Sequence, residues 1–267
     1  MMQPAAQDHQ VHLTIIIPTY NERENIGLVL WLLHEHLNPY YSELRREAGK
    51  PQHSAPCQPS LFWEVVIVDD GSPDGTAEVV RGLQQSKHEI GRNIKLIQRP
   101  TKLGLGTAYL AGLEQANGQW IVLMDADLSH HPRYIPKFLQ RQAVTGCTVV
   151  CGTRYRKGGG VAGWGFSRKL TSRGANQLAS TLLGASISDL TGAFRLFRRD
   201  HLLQLLDRTT CKGYAFQMEV AVRAQYAGFH VEEVPIIFVD RLYGDSKLGP
   251  SEFLGFLRGL LRLFLTL

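Results

Sequence analysis

Apolar and polar positions in the first part of the chain follow the rhythm of alternating strands and helices. Continuous apolar runs at 13–18 and 64–68 are typical of strands that are buried on both faces of a parallel sheet. Residues at helical spacing follow each run, one stretch capped by Asn21 and reaching Leu37, the next beginning near Thr76. Further elements are predicted at 93–98, 120–124 and 148–152 as strands and at 106–116 as a helix.

This order predicts a doubly wound α/β domain, a fold that binds ligands at the carboxyl ends of its strands. Asp69 and Asp70 follow the second strand, Asp125 and Asp127 follow the fourth, and Arg154 follows the fifth. We therefore expect these side chains, which are distant in sequence, to meet at one edge of the sheet.

Several segments differ from the repeat. Residues 1–12 are polar and lack a secretory signal pattern, so a flexible N-terminus on a protein of the cytosolic side is expected. The main domain is expected over 13–250, with a proline-containing surface insertion at 38–62. The glycine-rich stretch 158–165 suits a lid or a linker. Residues 251–267 are apolar but too short and too charged to span a bilayer.

Composition narrows the partners only slightly. The net charge of +5 and the pI near 9.1 suit an anionic substrate or a membrane surface as well as nucleic acid. The four cysteines show neither a paired zinc spacing nor the density of a secreted disulfide scaffold. Reduced thiols in a cytosol-facing protein are therefore expected.

The Asp-Ala-Asp run at 125–127 is the strongest candidate for chemistry. Two carboxylates one residue apart at the exit of an apolar strand repel each other unless a cation or an ordered loop compensates. Mg²⁺ and Mn²⁺ take oxygen ligands, usually one or two carboxylates together with substrate phosphates. The pattern favours a site for a divalent cation and a diphosphate, and a solvated acidic turn is the alternative.

Other patterns carry less weight. Residues 104–109 resemble a dinucleotide-binding glycine loop, but Tyr109 replaces the third glycine and the loop lies in the third strand–helix connection, which favours a tight turn or a helix start. His130 and His131 suggest zinc, yet no cysteine or glutamate completes a zinc set nearby, which favours a structural or solvated pair. Hydrolase elbow and Walker patterns are absent from the sequence.

Basic residues are concentrated late in the chain. Arginine binds phosphate through its bidentate guanidinium, and a diphosphate donor with a phosphate acceptor would need several cations. A solvated basic face is the alternative. The residues are Arg154, Arg156, Lys157, Arg168, Lys169, Arg173, Arg241 and Lys247.

Together these segments resemble the dolichol-phosphate mannosyltransferases of glycosyltransferase family 2, from about residue 13 to the C-terminus. The matching segments are 17–22, 68–76, 124–132, 152–155, 189–195, and 240–241 with 246–247. The resemblance implies a single GT-A domain with a mixed, Rossmann-like central sheet. It also implies transfer of mannose from GDP-mannose to dolichyl phosphate with inversion, giving the dolichyl β-D-mannosyl phosphate used in protein glycosylation and GPI-anchor assembly.

The resemblance further assigns residues to roles. The donor-binding positions are Pro18, Tyr20, Glu22, Val68 and Asp70. The diphosphate and metal positions are Asp125, Ala126, Asp127 and Ser129, of which Asp127 and Ser129 would hold Mg²⁺ or Mn²⁺. The phosphate-binding positions are Arg154, Arg241 and Lys247, with Arg168 and Ser172 for the acceptor. The catalytic residues would be Asp125, Asp127 and Arg154. Some relatives carry glutamine where Ser129 stands, and the shorter serine leaves room for water in that coordination place.

Relatives in this family reach the membrane through C-terminal spanning helices or through small membrane-embedded partner subunits, and this chain resembles the second kind. The resemblance places it on the cytosolic face of the endoplasmic reticulum membrane. Its expected partners are GDP-mannose, dolichyl phosphate, those subunits and the membrane surface, and not nucleic acid. Residues 251–267 are expected to form an interfacial or partner-docking helix, and a core helix is the alternative.

Two other functions stay open. A dolichyl-phosphate glucosyltransferase that uses UDP-glucose would share the metal and phosphate devices, because no residue visibly selects guanine over uracil. A non-catalytic subunit that binds a nucleotide sugar or a lipid phosphate would keep the fold and the basic residues. It would not need the whole acidic centre, which favours an enzyme.

Overall fold

The structure, a computed structural model, describes residues 11–48, 62–211, 213, 215–241, 243 and 250–266. The strands of these residues are β1 (Val11–Thr19), β2 (Phe62–Asp69), β3 (Ile94–Gln98), β4 (Trp120–Leu123), β5 (Val149–Thr153), β6 (Gly160–Ala162), β7 (Arg195–Arg198), β8 (Val231–Pro235) and β9 (Ile237–Val239). The α-helices are α1 (Arg23–Ala48), α2 (Thr76–Gln85), α3 (Leu105–Glu114), α4 (Ile135–Thr145), α5 (Phe166–Leu182), α6 (Arg199–Arg208), α7 (Ala215–Tyr226) and α8 (Pro250–Thr266), and two short 3-10 helices span Glu89–Asn93 and Pro132–Tyr134.

The main sheet has seven strands in the order β3-β2-β1-β4-β7-β5-β8. All its neighbours pair in parallel except β7, which runs antiparallel to both β4 and β5. The predicted doubly wound α/β domain and its mixed sheet are therefore confirmed. Every strand expected from the apolar runs forms, close to its expected bounds.

Helices cover both faces of the sheet, and two apolar cores lie between them. Alternate residues of β1 divide between the cores: Leu13, Ile15 and Ile17 pack in one core, and Ile16 packs in the other. The first core contains side chains of α1, α2 and α4. The second contains side chains of α3, α5, α6, α7 and α8.

The first helix is longer than predicted. The sequence places a helix end near Leu37 and a surface insertion over 38–62, but α1 continues through Pro39 to Ala48. Proline removes one helical hydrogen bond, and tertiary contacts offset the loss here. The Tyr41 side chain is fully buried, and Trp63 Nε1 donates to Asn38 Oδ1 at 2.9 Å. The start of the insertion at residue 38 is therefore wrong, and residues 49–61 lie outside the described part.

The predicted C-terminal helix forms as α8 and has two different sides. Phe256, Leu260 and Leu263 are buried in the second core. Leu261, Phe264 and other large apolar side chains on the outer side are exposed. The helix thus has a core contact on one side, as the core-helix alternative expects. On the other side it has an unpacked apolar surface, as an interfacial or partner-docking helix would need. Among the residues that the structure describes, no helix has the length and apolar content needed to cross a bilayer.

The glycine-rich stretch contains a strand. Residues of β6 pair in parallel with β9 in a separate two-stranded sheet, where Gly160 is opposite Ile237 and Ala162 is opposite Val239. This pairing joins the segment before α5 to the segment that leads toward Arg241. The stretch is therefore anchored, and its function as a lid stays a prediction.

Candidate functional site

The predicted acidic loops lie side by side at the carboxyl edge of the main sheet. Strand β1 lies between β2 and β4, so the order of the strands reverses at this point, and α/β folds bind ligands at such reversals. Strand β5 runs in the same direction as β4, because each is antiparallel to β7. The expectation that Asp70, Asp125 and Arg154 follow strand ends at one edge is confirmed.

Hydrogen bonds tie the loops after β1 and β2 together. Three consecutive N–H groups, those of residues 21–23, each donate at 3.0 Å to a side-chain oxygen of Ser72, Thr76 or Asp74. The buried Asp69 carboxylate accepts from Thr19 Oγ1 at 2.9 Å and from the Ser72 N–H at 3.0 Å. Asp69 therefore stabilises the loop, and Asp70 beside it is left for other contacts.

Asn21 is not the N-cap of α1, in contrast to the prediction. Its φ is +55°, in the left-handed region that asparagine tolerates better than most residues. The carbonyl of Glu22 accepts the first helical bonds, from the N–H groups of Asn25 and Ile26 at 3.0 and 2.9 Å. The Glu22 side chain is buried and accepts from Asn25 Nδ2 at 2.7 Å. The role of Glu22 in donor binding stays a prediction.

Arg99 is a site residue that the sequence interpretation missed. It follows β3, and its guanidinium forms a short ion pair with the Asp70 carboxylate, with only 8% of each side chain exposed. The same guanidinium donates to Thr107 Oγ1 at 2.7 Å. The signal was present in the sequence, since a cation directly after a predicted strand belongs to the same edge as the acids.

The acidic turn after β4 holds Asp127 by both of its carboxylate oxygens. Oδ1 accepts from the Ser129 N–H at 3.1 Å and from Ser129 Oγ at 2.5 Å. Oδ2 pairs with Arg241 Nη2 at 3.0 Å, across 114 residues of sequence. Leu128, between Asp127 and Ser129, has a φ of +64°, which turns the chain sharply. The structure thus brings together three predicted site residues, Asp127, Ser129 and Arg241.

His130 lies under this turn and is only 2% exposed. Its Nδ1 accepts the Asp125 N–H at 3.2 Å and stands 3.7 Å from an Asp125 carboxylate oxygen. Burial lowers the pKa of His130 to about 4, against the opposing effect of the Asp127 charge. The prediction of a structural histidine is therefore confirmed for His130, whose buried ring contacts the acidic turn directly.

Arg154 is held by a buried aspartate. Its Nε and Nη2 each donate to Asp189 at 2.7 Å, and Nη2 also donates to Thr191 Oγ1 at 2.7 Å. Burial alone would raise the pKa of Asp189, but the charge and hydrogen bonds of Arg154 outweigh burial and hold this pKa below its ordinary value. The guanidinium lies 5.6 Å from the ring centre of Trp164. Arg154 is therefore a rigidly placed cation, and its binding of phosphate stays a prediction.

The predicted acceptor residues lie at the start of α5. Arg168 Nη1 pairs with the Asp240 carboxylate at 2.9 and 3.0 Å, and its guanidinium lies 4.3 Å from the ring centre of Trp164. Ser172 Oγ and Tyr155 OH are 2.7 Å apart. A cavity opens beside them, with cationic and apolar walls. Its lining residues are Arg154, Tyr155, Gly160, Val161, Trp164, Phe166, Lys169, Leu170 and Arg173.

The remaining predicted residues differ in what they can offer. Pro18, near the end of β1, and Tyr20, on the loop that follows, are half-buried, and Lys102 Nζ lies 5.1 Å from the Tyr20 ring centre. The Val68 and Ala126 side chains are 0% and 3% exposed in the core, so a ligand contact there would use main-chain atoms. Lys247 lies outside the described residues.

The glycine loop at 104–109 serves packing. A Cβ on Gly106 would lie 2.8 Å from a ring carbon of Phe216, so α3 needs a glycine there to approach α7. The Gly104 φ of +101° suits the turn into α3. The interpretation as a helix start is confirmed.

The acidic turn offers oxygen ligands, the type that Mg²⁺ and Mn²⁺ prefer. Among the residues that the structure describes, no group of three or more histidine, cysteine, aspartate or glutamate side chains is arranged to hold a metal ion by itself. Asp127 and Ser129 present a carboxylate and a hydroxyl at one point of the turn. Such a set fits a hard cation that takes its other ligands from a substrate.

This fold, with acids and cations at its ligand-binding edge, agrees with what is known of similar sequences. A family model described as Glycosyl transferase family 2 matches residues 14–206. The chain belongs to this family. Its fold is accordingly GT-A-like, in a single domain with a mixed central sheet.

Two relatives are similar over most of the chain. Polyprenol monophosphomannose synthase of Mycolicibacterium smegmatis is 36% identical over 241 residues, which cover 89% of this chain and 81% of the relative. Undecaprenyl-phosphate mannosyltransferase of Micrococcus luteus is 34% identical over 237 residues, which cover 87% of this chain and 86% of the relative.

Solved structures share the fold at low sequence identity. Glucosyl-3-phosphoglycerate synthase of Mycobacterium tuberculosis, in complex with phosphoglyceric acid, superposes with a TM-score of 0.63 at 17% identity, over 94% of this chain and 79% of that one. The same enzyme with Mn²⁺, UDP and glucosyl-3-phosphoglycerate gives a TM-score of 0.60 at 18% identity and the same coverage. At this identity the likeness shows the fold alone.

Proposed function

We propose that this chain transfers mannose from GDP-mannose to dolichyl phosphate with inversion, forming the dolichyl β-D-mannosyl phosphate that supplies protein glycosylation and GPI-anchor assembly. The main support is that the two relatives above are named for polyprenol-phosphate mannose chemistry and match at least 87% of this chain. The guanine base and the dolichyl chain are proposed from the resemblance of the motif segments to the dolichol-phosphate enzymes.

The donor diphosphate is proposed to lie over the acidic turn. Asp127 and Ser129 would hold Mg²⁺ or Mn²⁺, which takes its remaining ligands from phosphate oxygens and water. The fold neighbour solved with Mn²⁺ and UDP supports a divalent cation in this class of site. When bound, the cation would stabilise the charge of the departing nucleoside diphosphate. Arg241, 3.0 Å from Asp127, is placed to share that task.

The acceptor phosphate is proposed to lie near Arg154, Arg168 and Ser172. Asp189 and Asp240 hold the two guanidinium groups, so both cations are positioned before a substrate arrives. The adjoining cavity suits the first isoprene units, because Phe166 and Leu170 on its wall are 82% and 62% exposed.

The proposed reaction needs little acid–base catalysis. One acceptor phosphate oxygen forms a bond to the anomeric carbon while the bond to the donor diphosphate breaks, and no proton is transferred. A phosphate monoester is largely anionic near neutral pH, with a second pKa of about 6. The role left to the protein is to position two anionic substrates and to stabilise the leaving group. A single displacement of this kind inverts the anomeric configuration.

Labelled donors test the proposal directly. The purified chain is incubated with GDP-mannose, UDP-glucose or UDP-galactose and with dolichyl or undecaprenyl phosphate, with Mg²⁺, Mn²⁺ or a chelator. We expect mannosyl transfer to dolichyl phosphate that stops with the chelator and returns with added cation. Glucosyl transfer would instead support a UDP-glucose enzyme. Binding of nucleotide sugar without any transfer would support the non-catalytic alternative.

The outer side of α8 is proposed to bind the membrane surface, with the endoplasmic reticulum as the cellular site. Leu254, Leu257, Leu261, Phe264 and Leu265 are between 36% and 73% exposed. Arg258 and Arg262 are exposed on the same helix, and cations beside an apolar face favour anionic lipid. Small membrane-embedded partner subunits are proposed, from the resemblance, to assist in holding this helix at the bilayer.

Charge placed on this outer side should release the chain from lipid. Leu261→Glu with Phe264→Glu is expected to weaken binding to anionic vesicles by at least about tenfold, since burying one such side chain contributes about 1.5 kcal/mol or more. Co-sedimentation measures the effect. Val144→Glu is the matched control, because Val144 is 85% exposed on α4, which packs on the other face of the sheet. Equal binding by both variants would contradict the proposal, and dependence on added membrane subunits would favour them as the main anchor.

A further inference from the structure

His130 is a buried polar residue beside the acidic turn, and it takes no direct part in the proposed reaction. Its ring stacks on Phe194, with centroids 5.1 Å apart and 19° between planes, and it meets the edge of Phe238 at 5.5 Å. Phe194 directly precedes β7, and Phe238 lies in β9. The ring therefore contacts two segments that lie outside the turn.

The hydrogen bond of His130 falls at the point where the chain leaves the sheet. The Met124 N–H still donates to the Ile16 carbonyl of β1 at 3.2 Å. The next N–H, that of Asp125, donates to His130 Nδ1 at 3.2 Å. At the other end of the turn, the Val239 N–H donates to the Ser129 carbonyl at 3.3 Å. The imidazole thus supplies the acceptor that a neighbouring strand would otherwise provide.

We propose that His130 is a positioning residue, whose Nδ1 fixes the direction in which Asp125 and Asp127 leave the sheet and thereby places their carboxylates for the cation and the donor diphosphate. This role rests on the proposed function. The side chain suits it for a geometric reason: an acceptor of the Asp125 N–H must carry no proton at the bonding atom, and a ring packed on Phe194 and Phe238 is held against rotation. A histidine that only fills space would need the ring but not the acceptor.

Two replacements separate the ring from the acceptor. His130→Phe keeps an aromatic ring against Phe194 and Phe238 but leaves the Asp125 N–H without its partner. His130→Asn gives up the ring, while its Oδ1 stands two bonds from Cβ, as Nδ1 does, and can accept the same bond. The measurements are the melting temperature, kcat and KM for GDP-mannose, and Mn²⁺ binding in the presence of GDP, followed by the paramagnetic resonance of the free ion.

The two variants are expected to differ from wild type in opposite ways, one in activity and the other in stability. His130→Phe should melt near the wild-type temperature, yet lose about 10- to 100-fold in kcat/KM, because a small displacement of positioned groups is costly, and it should bind Mn²⁺ more weakly. His130→Asn should melt at a lower temperature but, well below it, keep kcat/KM within about threefold of wild type.

Specific outcomes would overturn the role. Wild-type kinetics and Mn²⁺ binding in folded His130→Phe would show that the hydrogen bond does not matter, and an equal kinetic loss in His130→Asn would assign the effect to the ring. If His130→Phe does not fold, His130→Leu takes its place, because leucine is close in size to asparagine but has no acceptor. An equal kinetic loss in His130→Leu and His130→Asn would contradict the proposal. If the unmutated chain binds Mn²⁺ and GDP but transfers no mannose, the proposed function is wrong. The role of His130 would still be tested by Mn²⁺ binding in the variants.

Discussion

Replacement of Asp127 by alanine or asparagine is expected to abolish mannosyl transfer, with a loss of about 1,000-fold or more in kcat. One carboxylate oxygen of Asp127 accepts from Ser129, and the other pairs with Arg241. Asp127 therefore lies between the proposed metal site and the Arg241 guanidinium. Asparagine keeps an acceptor for the Ser129 N–H but removes the negative charge. The loss in Asp127→Asn would therefore come from charge and not from a disordered turn.

Asp200→Asn is the matched control for this experiment. Asp200 is half-exposed at the start of α6, where it pairs with Arg198, and it lies in none of the loops of the site. Transfer should be unchanged in Asp200→Asn, which should melt within a few degrees of wild type, as expected for a change of about 1 kcal/mol or less. Asp127→Asn removes the counter-charge of a mostly buried pair, so its melting curve must show that it is folded at the assay temperature. A folded Asp127→Asn protein with full activity at saturating Mg²⁺ or Mn²⁺ would contradict the metal assignment.

Asp189→Ala is expected to lower the free energy of unfolding by about 3–5 kcal/mol, because it leaves the buried Arg154 guanidinium without its counter-charge. The Arg154 and Asp189 side chains are 7% and 0% exposed. Asp189 also accepts from the N–H groups of Arg154 and Gly192, at 3.1 and 3.0 Å. Urea unfolding with a common slope measures the difference.

Asp240→Ala offers a comparison that differs mainly in burial. Asp240 pairs with Arg168, and these side chains are 35% and 40% exposed. Loss of an exposed pair should cost about 1 kcal/mol or less. Equal destabilisation of the two variants would show that burial does not decide the strength of these pairs.

The pair of Arg154 and Asp189 should make the free energy of unfolding depend on pH. Arg154 holds the pKa of Asp189 below its ordinary value, so this carboxylate contributes stability above the unfolded pKa, about 3.9, and loses it as pH falls through the folded pKa. Asp189→Ala should therefore show a smaller loss of stability between neutral and acid pH than wild type does.

The sheet and its ligand-binding edge were predictable from the sequence because their signals are local. The apolar runs give the strands, and the acids that follow them give the edge. Partners distant in sequence were not predictable: nothing near Arg154 or Arg168 indicates that Asp189 and Asp240 would pair with them. These pairs depend on how β7 and β9 are placed, which is a tertiary property.

Local signals were also misleading where packing outweighed them. Pro39 is a strong sign of a helix end, yet α1 continues because residues such as Tyr41 are buried beyond it. Asparagine is a favourable N-cap residue, but the Asn21 N–H donates to Ser72 Oγ of the neighbouring loop. In both places tertiary contacts decided the local conformation.

The small sheet of β6 and β9 has a consequence for how the two halves of the site can move. Strand β9 leads to Asp240 and Arg241, and β6 leads to α5 with Arg168 and Ser172. Because the strands are hydrogen-bonded, a displacement of one strand would carry the other with it, so Arg241 beside the acidic turn and α5 beside the cavity would move together. Binding of a donor at the acidic turn is therefore expected to shift the proposed acceptor site, and binding of an acceptor is expected to shift the turn.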